Sequence, residues 1–256
     1  MTLETKYTID EKLYSEVVND KAEKKSPKMI HSFWFSGEDK PDSYKKCVDS
    51  WAEILDDYEI IEWNQDNYDW KKHPFLKKAI ELKAWAYASD YARLDVLYRM
   101  GGIYLDMDVE VFKKFDDLLN NEAILSFSSP VQIDLAVMAS CKGNLLVNNL
   151  LLAYDDLIVP KSREEYAKYF QPALVRNILV DCGIEMNGNL QKVSEATVFP
   201  TEFFMPQDVI LFSPYIKTNN TYAVHYDNFG WSFSKDNKRE KKTRDNNKLW
   251  ELIETI

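Results

Sequence analysis

The chain has 256 residues, of which 45% are hydrophobic and 29% charged, and its formal net charge is −10. This length and balance indicate a globular protein that can bury a full core, and the acidic charge argues against a duplex nucleic-acid binder, whose surface would be basic. The three cysteines lie far apart and form no CxxC pair, which argues against a zinc site or a disulfide framework and fits a reducing compartment.

The first half of the chain alternates predicted strands and helices. Residues 1–28 are polar and charged, so we expect a helical extension and no signal peptide there. Apolar runs predict strands at Met29–Phe35 and Tyr58–Trp63, and helical spacing predicts helices at Ser43–Leu55 and over Phe75–Met100, the latter as one or two segments. With strands following at 103–105 and 109–112, this order predicts an α/β fold with a mostly parallel sheet flanked by helices.

The second half is less regular. Strands are predicted at Ala123–Phe127, Leu135–Ala139 and Thr221–Tyr226, and helices at Leu145–Leu157 and Glu164–Val180. No run of about 18 apolar residues occurs, so no transmembrane helix is expected. We expect one catalytic domain over residues 29–234 and a basic tail or helix over residues 235–256, which is either a solvated surface or a weak contact for an anionic membrane.

Two carboxylates follow the third strand in "GGIYLDMDVEV", at Asp106 and Asp108. On an extended strand, residues i and i+2 point the same way, so both could hold one cation, and carboxylate oxygens suit Mg²⁺ or Mn²⁺. The alternative is the hydrated end of an ordinary strand. The preceding helix places Asp90 and Arg93 at i and i+3, on one face, either as a surface ion pair or as groups that bind hydroxyls near the metal. Gly101 is expected to end that helix.

A longer pattern contains these residues: S-D-x-x-R-x-x-x-L-x-x-x-G-G-x-Y-x-D-x-D, from Ser89 to Asp108. It resembles the DXD sugar-transferase region shared by glycosyltransferase family 32 and the clostridial glucosylating toxins. "PKMIHSFWFSG", "SWAEILDDYEIIEWN" and "YAVHYDNFGW" resemble further segments of the family, so the similarity runs from about Pro27 to Trp231.

The resemblance implies a GT-A fold, a divalent cation (Mn²⁺ or Mg²⁺) and a nucleotide-diphosphate sugar donor, either UDP- or GDP-linked. It assigns catalytic roles to Asp106, Asp108, Asp90 and Arg93, with both motif aspartates on the metal. The donor-binding residues that it implies are Phe33, Trp34, Phe35, Ser89, Asp90, Arg93, Tyr104, Asp106, Met107 and Trp231.

The chain departs from the family pattern near its C-terminus, where relatives carry paired histidines and a Ser–Trp pair. Here His225 is followed by Tyr226, and Trp231 follows Gly230. His225 is the expected third metal ligand, with Asp227 or Tyr226 as alternatives. A second departure is Gln171–Pro172, where relatives have Gly–Pro, which affects an acceptor-side contact.

The resemblance implies a metal-dependent retaining hexosyltransferase that acts on a saccharide or lipid-linked oligosaccharide, as in capsular polysaccharide synthesis. Alternatives are toxin-like glycosylation of a protein and a non-catalytic module that binds nucleotide sugars. A haloacid-dehalogenase phosphatase also places D-x-D after a strand, but it needs Thr or Val where Glu110 stands. Acceptor contacts are expected in Phe127–Leu135 and Phe199–Gln207. We expect no nucleic-acid partner, and a cytoplasmic location with at most peripheral contact to the inner membrane face.

Overall fold

The computed structural model describes residues 9–19, 21–162, 165–166, 171–206 and 217–226. The helices in this part of the chain are α1 (Glu11–Val17), α2 (Asp42–Ile54), α3 (Pro74–Glu81), α4 (Trp85–Met100), α5 (Leu145–Leu152) and α6 (Gln171–Asp181). The strands are β1 (Met29–Phe33), β2 (Glu59–Trp63), β3 (Gly102–Leu105), β4 (Val109–Val111), β5 (Ala123–Ser129), β6 (Gln132–Ser140), β7 (Gln191–Val193), β8 (Ala196–Phe199) and β9 (Ala223–His225).

Seven strands form one mixed sheet in the order β2-β1-β3-β6-β5-β8-β7. Strands β1, β2, β3, β5 and β8 run in one direction, whereas β6 and β7 run in the opposite one. The remaining strands, β4 and β9, form a separate antiparallel pair. The prediction of an α/β fold with a mostly parallel sheet flanked by helices is confirmed.

The predicted helical segment over residues 75–100 is two helices. Lys83 adopts a positive φ of 55° between α3 and α4, which is left-handed backbone that no helix can continue through. Helix α4 is buried from Tyr87 to Leu97 on nearly all sides, apart from the partly exposed Asp90, so its polar residues must find partners inside the protein. It ends as predicted at Gly101, whose φ is 74° and whose N–H bonds to Leu97 O.

Several predicted boundaries shift in the structure. The first strand ends at Phe33 rather than at residue 35, α5 ends at Leu152, and the last strand covers only Ala223–His225. Strands β7 and β8, which were not predicted, form a short hairpin through Ser194 at a φ of 51°. A serine in left-handed backbone gives no turn signal of the kind that glycine or asparagine gives.

One hydrophobic core brings together helix α2, strands of the main sheet and the β4–β9 pair. Trp51 of α2 is fully buried, and its indole Nε1–H donates to Val109 O at 2.7 Å, which fixes the helix to β4. The N-terminal extension also contributes, because Val17 of α1 is buried in this core and Val17 O accepts from the amide of Asn121.

The parallel strands bring the carboxyl ends of β1, β2 and β3 to one edge of the sheet. In α/β sheets, ligands bind in the crevice beyond such ends. Trp34 follows β1, and Asp106 follows β3 at this edge. None of the helices that the structure describes has the length and apolar character needed to cross a membrane.

Candidate active site

The two aspartates of the D-x-D motif lie in a turn between β3 and β4. The extended geometry from which their common direction was predicted is therefore not present. β3 ends at Leu105, Asp106 N–H still bonds to Ala136 O on the neighbouring β6, and Val109 N–H then turns back to Asp106 O at 3.1 Å. The chain must turn here because β4 leaves the main sheet to pair with β9. Both carboxylates nevertheless reach one group of side chains.

His225 joins the two aspartates through the pairing of β4 with β9. Val109 lies opposite His225 in this ladder, and Tyr226 N–H bonds to Asp108 O. One ligand atom from each of Asp106, Asp108 and His225 lies within 4.8 Å of the others, and His225 Nε2 is 3.3 Å from Asp108 Oδ1. The fold thus brings a residue of the last described strand next to the motif.

This donor set fits a divalent cation. A six-coordinate ion at about 2.1 Å from its ligands separates opposite ligands by about 4.2 Å, so the side chains need only a small contraction. Two carboxylates and an imidazole suit Mn²⁺ or Mg²⁺ better than a thiolate-preferring metal. Burial lowers the pKa of His225, but the Asp108 and Asp134 carboxylates outweigh it and raise that pKa well above 6.5, so the imidazole is protonated before a cation displaces the proton.

Arg93 connects helix α4 to the motif turn. Its Nη2 is 3.0 Å from Asp90 Oδ1 and 3.3 Å from Asp106 Oδ1, and its Nη1 donates to Leu135 O at 2.9 Å. The guanidinium also lies over the ring of Tyr104 at 4.4 Å, and the Tyr104 hydroxyl donates to Asp106. Burial works against the charged form, but these carboxylates raise the pKa of Arg93, which stays charged.

Asp90 is the partly accessible carboxylate of this group. Its side chain is 16% exposed, against 5% for Arg93. Burial raises the pKa of Asp90 to about 7, although Arg93 acts in the opposite direction. Burial likewise raises the pKa of Asp106, again opposed by Arg93. The prediction that Asp90 and Arg93 share a helix face is confirmed, and the pair is buried rather than a surface ion pair.

The aromatic residues after β1 divide into two kinds. Phe33 and Phe35 are buried and pack on each other and on Tyr68, with ring centroids 5.1 Å apart for the first pair. Trp34 is partly exposed, packs edge-on against Tyr44, and donates its indole N–H to Glu38 O. Of the three, Trp34 is therefore the residue whose side chain is partly accessible, and the Lys40 ammonium lies over its ring at 5.7 Å.

Two further predicted donor-binding residues, Ser89 and Met107, belong to helix α4 and to the motif turn. Ser89 is buried and its hydroxyl oxygen is 3.4 Å from Arg93 Nη2, so it supports the guanidinium. Met107, between the two aspartates, is also buried. Trp231, together with the alternative metal ligand Asp227 and the basic segment 235–256, lies outside the described residues.

The structure places Tyr226, an alternative third metal ligand, and Gln171, which stands where relatives have glycine. The Tyr226 hydroxyl donates to the Glu110 carboxylate, so Tyr226 is engaged away from the three-residue group. Gln171 donates its side-chain amide to Asp90 O at 3.1 Å and to the Tyr154 hydroxyl, so it supports α4 from behind the site.

Asp134 lies at the site but was not predicted as a site residue. It lies on β6, and its Oδ2 is 3.4 Å from His225 Nδ1. The signal that was available is a single acidic residue inside the apolar strand "VQIDLAVMAS", since a buried strand carries a charge only where a partner meets it.

Comparisons with known proteins point to one activity class. The sequence model of the "Glycosyltransferase sugar-binding region containing DXD motif" matches residues 41–125. Inositol phosphoceramide mannosyltransferase 2 of Schizosaccharomyces pombe is 26% identical over 214 residues, which cover 80% of this chain and 58% of that protein. Inositol phosphoceramide mannosyltransferase 3 of the same yeast is 31% identical over 126 residues, 46% of this chain and 34% of that protein.

Among solved structures, the chain is similar to the PaToxG glycosyltransferase, with 18% identity and a TM-score of 0.47 over 66% of this chain and 73% of that one. The chain thus spans only 58% and 34% of the lengths of the two yeast proteins. The match over residues 41–125 includes Asp90, Arg93 and both aspartates of the turn, so the residues of the candidate site lie within the part of the chain that is similar to the DXD-containing sugar-binding region.

Proposed function

We propose that the protein is a metal-dependent retaining hexosyltransferase of the family 32 type. It would move a hexose from a UDP- or GDP-linked donor to a saccharide or lipid-linked acceptor. The observation that supports this most is the meeting of Asp106, Asp108 and His225 within 4.8 Å, beside the Asp90–Arg93 pair, in a chain that carries the DXD region.

The residues of the site divide the work between charge and position. In this proposal Asp106, Asp108 and His225 hold a divalent cation, which when bound offsets the negative charge of the leaving diphosphate. Arg93 adds a fixed positive charge at the same place, and its bonds to Asp106 and Leu135 O keep it from reorganising during the reaction. The Asp90 carboxylate, held by Arg93, would accept hydrogen bonds from hydroxyls of the donor sugar.

Trp34 is the proposed stacking surface for the nucleobase. It follows the carboxyl end of β1, at the same sheet edge as Asp106, and its indole is fixed by the bond to Glu38 O. Stacking on an aromatic side chain contributes about 1–3 kcal/mol per base.

For a retaining transfer, the acceptor hydroxyl attacks from the face that the diphosphate leaves. The bond from the anomeric carbon to the donor phosphate oxygen breaks, a bond to the acceptor oxygen forms, and the leaving phosphate takes the acceptor proton. No protein nucleophile is required for this balance. The role of the chain is to hold donor and acceptor together, which removes the entropic cost of their encounter.

The acceptor is proposed from the relatives. The yeast proteins are named for mannosyl transfer to inositol phosphoceramide, which makes a GDP- or UDP-linked mannose and a lipid-linked acceptor the first combination to test. Synthesis of a surface or capsular polysaccharide on the cytoplasmic side of a membrane, with peripheral contact, is the setting we propose. Toxin-like modification of a protein side chain is the second candidate.

A screen of nucleotide sugars tests the proposal. The purified chain is incubated with UDP- and GDP-hexoses and Mn²⁺ or Mg²⁺, and the released nucleotide is measured with and without excess chelator. We expect metal-dependent release of the nucleotide from one donor. The Asp108→Asn variant serves as the matched control, and we expect it to be inactive. Binding of a nucleotide sugar without any turnover would support a non-catalytic module, and phosphate release from simple phosphomonoesters would support a phosphatase.

A further inference from the structure

A carboxylate outside the DXD motif faces the imidazole of the three-residue group. Asp134 Oδ2 is 3.4 Å from His225 Nδ1, on the side of the ring away from Asp108, which is 3.3 Å from Nε2. The Nδ1 atom is buried and forms no hydrogen bond of good geometry with the residues that the structure describes, and the Asp134 carboxylate faces it at ion-pair distance. Asp134 is therefore the group in the described part of the chain that can satisfy this nitrogen.

The backbone holds Asp134 in place for this contact. Its Oδ1 accepts the N–H of Ala136, two residues later, at 2.6 Å, and this local bond leaves Oδ2 for the imidazole. The side chain is thus attached at one oxygen to its own strand and faces His225 with the other.

Strand β6 is irregular at this point. Ile124 pairs with Ala139, and Ser126 pairs with Asp134. A step of two residues along β5 therefore corresponds to a step of five residues along β6. Such bulges re-aim side chains and are frequent beside active sites. Here the bulge directs Leu135 O to Arg93 and the Asp134 carboxylate to His225, so two parts of the site depend on one irregularity.

The arrangement fixes which nitrogen of His225 is available. A carboxylate at Nδ1 keeps the proton on that nitrogen, so the lone pair of the neutral ring lies on Nε2 and faces Asp108. A lone pair opposite a carboxylate is repulsive unless a proton or a cation lies between them. Histidine ligands in metal sites commonly donate their second N–H to a carboxylate, which fixes the tautomer and the ring orientation.

We infer that Asp134 is a positioning residue that orients His225 as a ligand for the divalent cation through its Nδ1–H. The inference rests on the proposed function, because it requires that the group of Asp106, Asp108 and His225 binds a metal. Asp134 itself would touch neither the donor nor the ion.

Direct Mn²⁺ binding to the full chain, without donor or acceptor, tests the inference. Free Mn²⁺ is followed by electron paramagnetic resonance during a titration. Asp134→Ser can keep the local bond to Ala136 but is too short to reach His225, so we expect its Mn²⁺ affinity to fall about 10–100-fold. Asp134→Asn removes the same charge but keeps one side-chain oxygen, which can accept from His225 Nδ1–H only by giving up the bond from Ala136 N–H, so we expect a loss of Mn²⁺ affinity that is clearly smaller than that of Asp134→Ser.

Two further variants separate position from general electrostatics. Asp155→Ala removes a carboxylate that faces a different histidine, His73, at 3.0 Å. It should leave the Mn²⁺ affinity unchanged. In a His225→Ala background, Asp134→Ser should lose most of its effect, because residues that act through one another are not additive. Thermal unfolding of each variant confirms that it is folded, and Asp134→Ala provides a second truncation.

The outcomes distinguish this inference from the proposed function. Wild-type affinity in Asp134→Ser, or an equal loss in Asp134→Asn and Asp134→Ser, would show that Asp134 does not act by orienting His225. Failure of the wild-type chain to bind Mn²⁺ would instead overturn the metal site, and with it both proposals.

Discussion

Replacing Arg93 by methionine removes the cation that holds two buried carboxylates together. Arg93 pairs with Asp90 at 3.0 Å and Asp106 at 3.3 Å, donates to Leu135 O and lies over Tyr104. Methionine fills much of the same volume but leaves both carboxylates without this partner.

Loss of one member of a buried ion pair costs about 3–5 kcal/mol, mostly because the remaining charge stays desolvated. For a chain of this size, 1 kcal/mol lowers the melting temperature by about 2–4 °C, so the expected decrease is about 6–20 °C. Urea unfolding in the presence of a chelator measures the free energy directly and keeps metal binding out of the comparison.

The cost should depend on pH in a defined direction. With Arg93 present, the pKa of Asp90 is about 7, and without Arg93 it must rise further. A carboxyl whose folded pKa is raised binds a proton in the folded state that the unfolded state lacks, so stability falls as pH rises through that window. The difference between wild type and Arg93→Met should therefore be larger at pH 8 than at pH 5.

A matched control lies on the same helix. Arg99 is 47% exposed and pairs with Asp95, which keeps Lys72 and the Tyr68 hydroxyl as partners. Arg99→Met should cost no more than about 1 kcal/mol. If Arg93→Met costs as little as Arg99→Met, or if its cost does not change with pH, Asp90 and Asp106 do not depend on Arg93 for their charge compensation.

Three further predictions concern the motif, a buried histidine and the first residue of β3. Asp108→Asn should lower donor hydrolysis by at least about 100-fold without unfolding the chain, and excess chelator should do the same to wild type; hydrolysis rates and circular dichroism decide this. Burial lowers the pKa of His31, so just below pH 6.5 the unfolded state binds more protons than the folded state. The free energy of unfolding should therefore decrease as pH falls through this range. Denaturant titrations should show a weaker dependence of this free energy on pH in His31→Gln. Gly102→Ala should cost more than about 2 kcal/mol in thermal unfolding, because its Cβ would lie 2.6 Å from Met29 O and its φ is +105°. Gly143→Ala is the control: its φ is +76°, but its Cβ would meet no atom within 4 Å, so it should cost about 1 kcal/mol.

The parts of the site that could be predicted are local in sequence. Asp90 and Arg93 share a face because they are three residues apart on a helix, and Gly101 ends that helix because it adopts a φ that other residues avoid. The same locality supports the position of Asp106 at the carboxyl end of β3. The aspartates lie between two short strands, as predicted, but the extended geometry assumed for Asp106 to Asp108 is a turn in the structure, because the departure of β4 from the sheet depends on its pairing with β9.

Sequence alone determined the order of strands and helices up to the motif and the neighbouring side chains, since periodicity and turn residues act over a few positions, whereas it did not predict the β7–β8 hairpin. The tertiary structure decided which distant residues complete the site. His225 reaches Asp108 only because β9 pairs with β4 in one register, and Asp134 reaches His225 only because β6 bulges. Register and bulges are set by packing and hydrogen bonding between segments far apart in the chain, and no local pattern records them.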